Sequence, residues 1–116
     1  MLIIRGKHDI YISRGDTKRL GINLTEIVNH DAEDYIMADD EYIVFKLRDC
    51  EGKRVIKELR SAVGTTIIDI PAEFTQQMHD NEFKYSVDLM LRDGTKETVI
   101  GEEATRAFPK FVILGA

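Results

Sequence analysis

Six carboxylates crowd between Asp31 and Glu41: Asp31, Glu33, Asp34, Asp39, Asp40 and Glu41. Several carboxylates on a flexible loop are the donor set that calcium takes. This run lacks the Asp-x-Asp-x-Asp-Gly rhythm and the closing Glu that wrap such an ion. It reads instead as a solvated loop that discourages edge-to-edge aggregation. The three histidines, His8, His30 and His79, lie in or beside polar segments far apart, and none has a partner at metal-ligand spacing. The single cysteine, Cys50, excludes an internal disulfide and a thiolate zinc site. It stands in Asp49-Cys50-Glu51-Gly52, between two acids, the opposite of the electropositive setting that reactive thiols use. Ser13, Ser61 and Ser86 are the only serines, and none occupies a nucleophile elbow. The expectation is a protein without catalytic residues, cofactor or bound metal.

Two short motifs invite a functional reading. Arg14-Gly15-Asp16-Thr17 contains the tripeptide that integrins read, but Gly-Asp is also a natural turn between two strands. Asn23-Leu24-Thr25 matches a glycosylation sequon, yet it sits inside a run that alternates like a strand. Structural use is the expectation for both.

The elements that must position these residues are strands. Phe83, Tyr85, Val87, Leu89 and Leu91 alternate strictly with Lys84, Ser86, Asp88, Met90 and Arg92, and Asp93-Gly94 follows. A period of two puts one residue class on each face, and Asp-Gly accepts the positive φ of a tight hairpin turn. A two-residue turn would set Ile100 opposite Val87, and a three-residue turn with a bulge would set Val99 there. Further strands are expected over His8 to Arg14, Lys18 to Glu26, Glu41 to Arg48, Arg54 to Leu59, Thr65 to Ile70, Thr95 to Ile100 and Phe108 to Leu114. Asn29 to Glu41 reads as a polar connection. Pro71 to Met78 is the one helical candidate, with Pro at its start and Phe74 and Met78 four apart on one face. Seven or eight strands with turn signals about every ten residues give an all-β chain, a β-sandwich or barrel. Its core should hold the Phe83 to Leu91 alternation with Leu20, Ile22, Leu24, Ile43, Phe45 and Leu47.

At 116 residues the chain has room for one domain, residues 1–116, with a core large enough to need no metal or disulfide. Apolar residues make up 43% and charged residues 32%, a globular balance. A net charge of −5 argues against nucleic acid as a partner. The nearest basic run, Lys53-Arg54 with Lys57 and Arg60, is interrupted by Glu58. Leu2-Ile3-Ile4 before Arg5-Gly6 is too short for a signal-peptide core, and nothing approaches a membrane span. A soluble chain made in the cytoplasm, with no membrane and no small-molecule substrate, is the expectation.

"RGDT" before a strand, then "DDEYIVFKLRD" from Asp39 and "FKYSVDLMLRDGTKETVIGE" from Phe83, resembles a family of small prophage proteins. These are similar to the N-terminal domain of the upper baseplate protein of phages that infect Gram-positive bacteria. The family pattern is an initial Arg-Gly-Asp-Thr, a middle strand alternating Phe and Val, and an aromatic strand closed by an Asp-Gly hairpin. The resemblance spans Ile12 to Ile113. The chain stops at Ala116, where longer members continue toward receptor-binding parts. It implies an immunoglobulin-like antiparallel sandwich acting as a non-catalytic component of a tail or baseplate, hence of the virion. Copies of itself and other tail proteins would be its partners. An immunoglobulin-like module binding a protein or carbohydrate is the alternative.

The ends of the chain fit such a role. Val112 and Leu114 point opposite to Phe111 and Ile113, so the last strand is apolar on both faces. With Ile3 and Ile4 near the other end, these residues form the candidate subunit interface. The competing arrangement has one end packed over the other within a monomer.

Overall fold

In a computed structural model, residues 2–4, 9–101 and 108–115 are described. Among them the chain forms eleven strands and one short helix: β1 (Leu2–Ile4), β2 (Ile10–Ser13), β3 (Lys18–Gly21), β4 (Leu24–Val28), β5 (Asp31–Asp34), β6 (Tyr42–Arg48), β7 (Val55–Arg60), β8 (Ile67–Ile70), α1 (Ala72–Gln76), β9 (Glu82–Met90), β10 (Lys96–Gly101) and β11 (Lys110–Leu114). The all-β class expected from the alternation is the class that forms.

β9 organises the larger sheet. One edge pairs antiparallel with β6 over residues 84–90, and β7 extends the sheet beyond β6. The other edge is shared: β11 takes residues 82–84 and β10 takes residues 87–90. β2 lies parallel to β11, while β1, β4 and β5 follow outward from β10. A separate antiparallel pair, β3 and β8, completes the fold.

Both sheets feed one apolar cluster. β6 and β9 contribute Ile43, Phe45, Leu47, Phe83, Tyr85, Val87 and Leu89, and β8 contributes Ile68 and Ile70. Phe45 is fully buried and meets three rings: Tyr85 stacked at 5.1 Å, Phe111 edge-on at 5.9 Å and Phe74 of α1 at 6.4 Å between centroids. Such edge and offset contacts add about 0.5–1.5 kcal/mol each beyond area burial. The expected core is therefore present, with Leu20 and Leu91 only partly buried against it.

The hairpin after β9 resolves the open register. Leu91 N–H donates to Thr95 O, Gly94 N–H donates to Leu91 O, and Gly94 takes φ +86°, a three-residue loop that sets Val99 opposite Val87. The Thr95 hydroxyl and backbone N–H both donate to Asp93, holding its carboxyl below the usual range and fastening the loop.

Three segments depart from the expectation, and together they raise the strand count above seven or eight. Lys18 to Glu26 is two strands. β3 pairs with β8 as far as the Ile22 N–H to Thr66 O bond, and from Leu24 the chain joins β1 and β5 instead. Leu20, Ile22 and Leu24 keep their alternation through this change of partner, so period alone hides it. Asn29 to Glu41 holds the β4–β5 hairpin, turned by Asn29 and His30 at φ 51° and 68°. All four residues of β5 are exposed, so no apolar alternation announces the strand. Leu2–Ile4 forms a strand between β10 and β4. Pro71 sits at the N-cap of α1 rather than at its first helical position.

Leu89 is fully buried at the centre of β9. Leu89→Ala should cost about 2–5 kcal/mol in urea unfolding, the price of a large truncation in a packed core. A loss below about 0.5 kcal/mol would mean the site is not core.

Candidate subunit interface

The last strand alternates as its sequence dictates. Phe111 and Ile113 enter the core, while Lys110 and Leu114 are exposed and Val112 is half-buried on the opposite, outer face. Parallel pairing sets Tyr11 of β2 beside Val112 and Ser13 beside Leu114, while β9 sets Lys84 beside Lys110 and Glu82 beside Val112. Tyr11 is 53% exposed and Leu114 47%. The outer face of β2, β11 and β9 thus carries an apolar strip, Tyr11, Val112 and Leu114, next to two lysines.

β2 borders this strip and pairs only with β11 among the described residues. Arg14 N–H donates to Leu114 O, so by alternation Ile12 also turns its amide to β11 and Tyr11 turns its own to the open edge. A strand edge unpaired among the described residues and flanked by apolar side chains is a template for another strand.

Val112 and Leu114 are where the sequence placed them. The side chains of Ile3 and Ile4 lie outside the described residues. Their backbone pairs with β10 and β4, so no ladder joins β1 to β11. Tyr11 is the residue sequence reasoning missed. Its signal is the Ile10-Tyr11-Ile12 alternation, but the parallel pairing that brings it to Val112 links positions about a hundred residues apart.

Arg14 holds the other side of β2 in place. Its guanidinium donates to the Thr75 and Met78 carbonyls at the end of α1 and to Asn81 Oδ1 at 2.7 Å. Gly15 N–H donates to Thr75 Oγ1 at 2.9 Å, and Asp16 N–H closes the turn onto Ser13 O. The Arg-Gly-Asp motif is thus engaged as a clamp between β2 and α1. In the sequon, Thr25 is buried at the start of β4.

Where β6 crosses β9, polar side chains on the outer face pair with one another. Asp88, 3% exposed, pairs with Lys46 Nζ at 2.7 Å and accepts from the Thr98 hydroxyl at 3.0 Å. Arg48 donates to Ser86 Oγ at 2.9 Å and lies 4.5 Å from the Phe108 ring centroid. Gly52 must stay bare beneath this stack, because a Cβ there would come within 3.1 Å of Phe108 and φ is +76°.

The acidic segment folds around one buried carboxylate. Glu41 accepts from the Tyr35 hydroxyl at 2.8 and 2.9 Å and from Ala38 N–H at 2.8 Å. Burial, then this bond and nearby Glu26 and Glu97, push the Tyr35 phenol up to about 12. Among the described residues no group of three or more His, Cys, Asp and Glu is arranged to hold a metal, and no helix is long and apolar enough to cross a membrane. His30, His79 and Cys50 are exposed, and His8 lies outside the described residues.

Compared with known proteins, the chain matches no family model, no curated protein and no solved structure.

Lys46→Met should cost about 3–5 kcal/mol, since it strands the Asp88 carboxylate in a buried setting. The double variant Lys46→Met/Asp88→Leu should recover most of that loss, because no charge is left unpaired. Equal losses in both variants would show that the ion pair itself carries stability. For Tyr35, the raised folded value means its contribution is complete below the ordinary 10.0 and is lost as pH rises through about 12. Unfolding measured across that window should show an alkaline loss that Tyr35→Phe lacks.

Proposed function

We propose that this chain is a non-catalytic structural component of a phage tail or baseplate, built as an immunoglobulin-like sandwich and acting through contacts with other subunits. The observation that carries the reading is the β2 edge, unpaired among the described residues, beside exposed Tyr11 and Leu114, a surface suited to partner strands and apolar contacts. The "RGDT" and "FKYSVDLMLRDG" resemblance supplies the setting. The immunoglobulin-like reading draws support from strand order: β11 and β6 flank β9 antiparallel, and the β3–β8 pair packs its isoleucines on the same core.

A second reading, an immunoglobulin-like module that binds a protein or carbohydrate, draws on a shallow groove of about 470 Å³ between the β3–β8 pair and β7. Leu59, Ile70 and Pro71 contribute its apolar lining, and the exposed Arg19–Asp69 ion pair lies along it.

Light scattering over a concentration series tests the first reading. The wild type should associate, and Leu114→Lys or Val112→Lys should weaken association while the circular dichroism spectrum stays that of a folded chain. A charge placed at a fully buried position would instead unfold the monomer. A chain that stays monomeric throughout removes self-association from the proposal and moves the binding module ahead.

A further inference from the structure

Among the described residues three cross-strand pairs set like charges directly opposite each other; in one, Arg48 of β6 opposite Lys84, the guanidinium is engaged by Ser86 and lies against Phe108. In the other two, Lys84 of β9 stands opposite Lys110 of β11, and Glu26 of β4 stands opposite Glu33 of β5. Like charges in such positions are destabilising, where a pair of opposite charges would stabilise. The lysine pair shares its face with Tyr11, Val112 and Leu114. Of the two lysines, only the Lys110 ammonium finds a carboxylate among the described residues, Glu82 at 3.5 Å. The glutamate pair shares its face with Asp31 and with Val28, which is 42% exposed. Neither Glu26 nor Glu33 forms an ion pair among the described residues.

The Lys84–Lys110 and Glu26–Glu33 pairs are opposite in sign, each lies beside exposed apolar side chains, and the sheet order sets β10 and β1 between them. β5 lies beyond β10, β1 and β4 from β9, roughly 19 Å away at the usual strand spacing of about 4.8 Å. We infer that the lysine face of one copy docks on the glutamate face of a second copy, head to tail. This rests on the assembly reading above and deepens it by naming the partner surface. Lys84 and Lys110 neutralise Glu26 and Glu33 across the contact, while Tyr11, Val112 and Leu114 cover Val28. Because two different surfaces meet, the contact is heterologous, and repetition gives a ring or an open filament rather than a closed two-fold dimer. The charge complementarity argues for a second copy as the occupant.

The test is a charge exchange read by sedimentation velocity at low salt. The wild type should associate, and should do so less at about 1 M salt, where the Debye length is about 3 Å. Lys84→Glu/Lys110→Glu and Glu26→Lys/Glu33→Lys should each weaken association by at least about tenfold, since like charges would then meet across the contact. An equimolar mixture of the two variants should associate again, because each supplies the face the other has lost. Thermal melts establish that both variants are folded. The salt series on the wild type tests the inference without any substitution.

Association that ignores both reversals but falls with Leu114→Lys overturns the head-to-tail contact and leaves assembly through the β2 edge standing. Reversals that weaken association without rescue on mixing overturn the pairing of these two faces. Association that strengthens with salt overturns the electrostatic contact. A wild type that is monomeric at every concentration overturns both this inference and self-assembly, leaving a different protein as the occupant of the lysine face.

Discussion

Phe45 is the point on which the packing converges. Its ring stacks on Tyr85 from β9 and takes the edges of Phe111 from β11 and Phe74 from α1. Strands from the middle and end of the chain and the only helix among the described residues thus meet at one side chain. β9 supplies the matching backbone constraint, with β6 along one edge and both β10 and β11 on the other. Once Phe111 is seated against Phe45, alternation leaves Val112 and Leu114 no face but the outer one. The exposed strip is therefore a consequence of the core.

The Arg-Gly-Asp turn shows how one motif can be absorbed by a fold. An integrin-type reading needs an extended arginine at the tip of the turn. Here the Arg14 guanidinium reaches back to the Thr75 carbonyl of α1, which also accepts from Met78 N–H, to the Met78 carbonyl just past the helix, and to Asn81. Asn81 in turn offers its carbonyl to Ile113 N–H, so the clamp also reaches the last strand. Arg14 thereby links β2, α1 and, through Asn81, β11.

Charge is distributed by the same logic. Where opposite charges fall side by side on the central sheet, as with Lys46 and Asp88, the buried carboxylate accepts from the Lys46 ammonium and from the hydroxyl of exposed Thr98. Buried pairs of this kind contribute little net stability but are costly to break. Where like charges fall opposite each other, as with Lys84 and Lys110 or Glu26 and Glu33, they remain near the surface. Among the described residues Lys84, Glu26 and Glu33 form no ion pair, while Lys110 reaches Glu82.

The alternation in β6, β9 and β11 was legible because side-chain direction in a strand is a local property with a period of two. It determined the all-β class, the inward set from Ile43 to Leu89 and the outward direction of Val112 and Leu114. The Asp93-Gly94 turn was equally local, although either loop length satisfied the apolar pattern. Strand partners were not legible. Leu20, Ile22 and Leu24 alternate without interruption while the chain passes from one sheet to another, and Asp31–Asp34 pairs through its backbone with no apolar signal at all. Tyr11 meets Val112, and Lys84 meets Lys110, only through ladders between distant segments. Which faces the side chains take was set by the sequence. Which faces come together was decided by tertiary structure, because backbone pairing carries no side-chain code and register is fixed by the shared core.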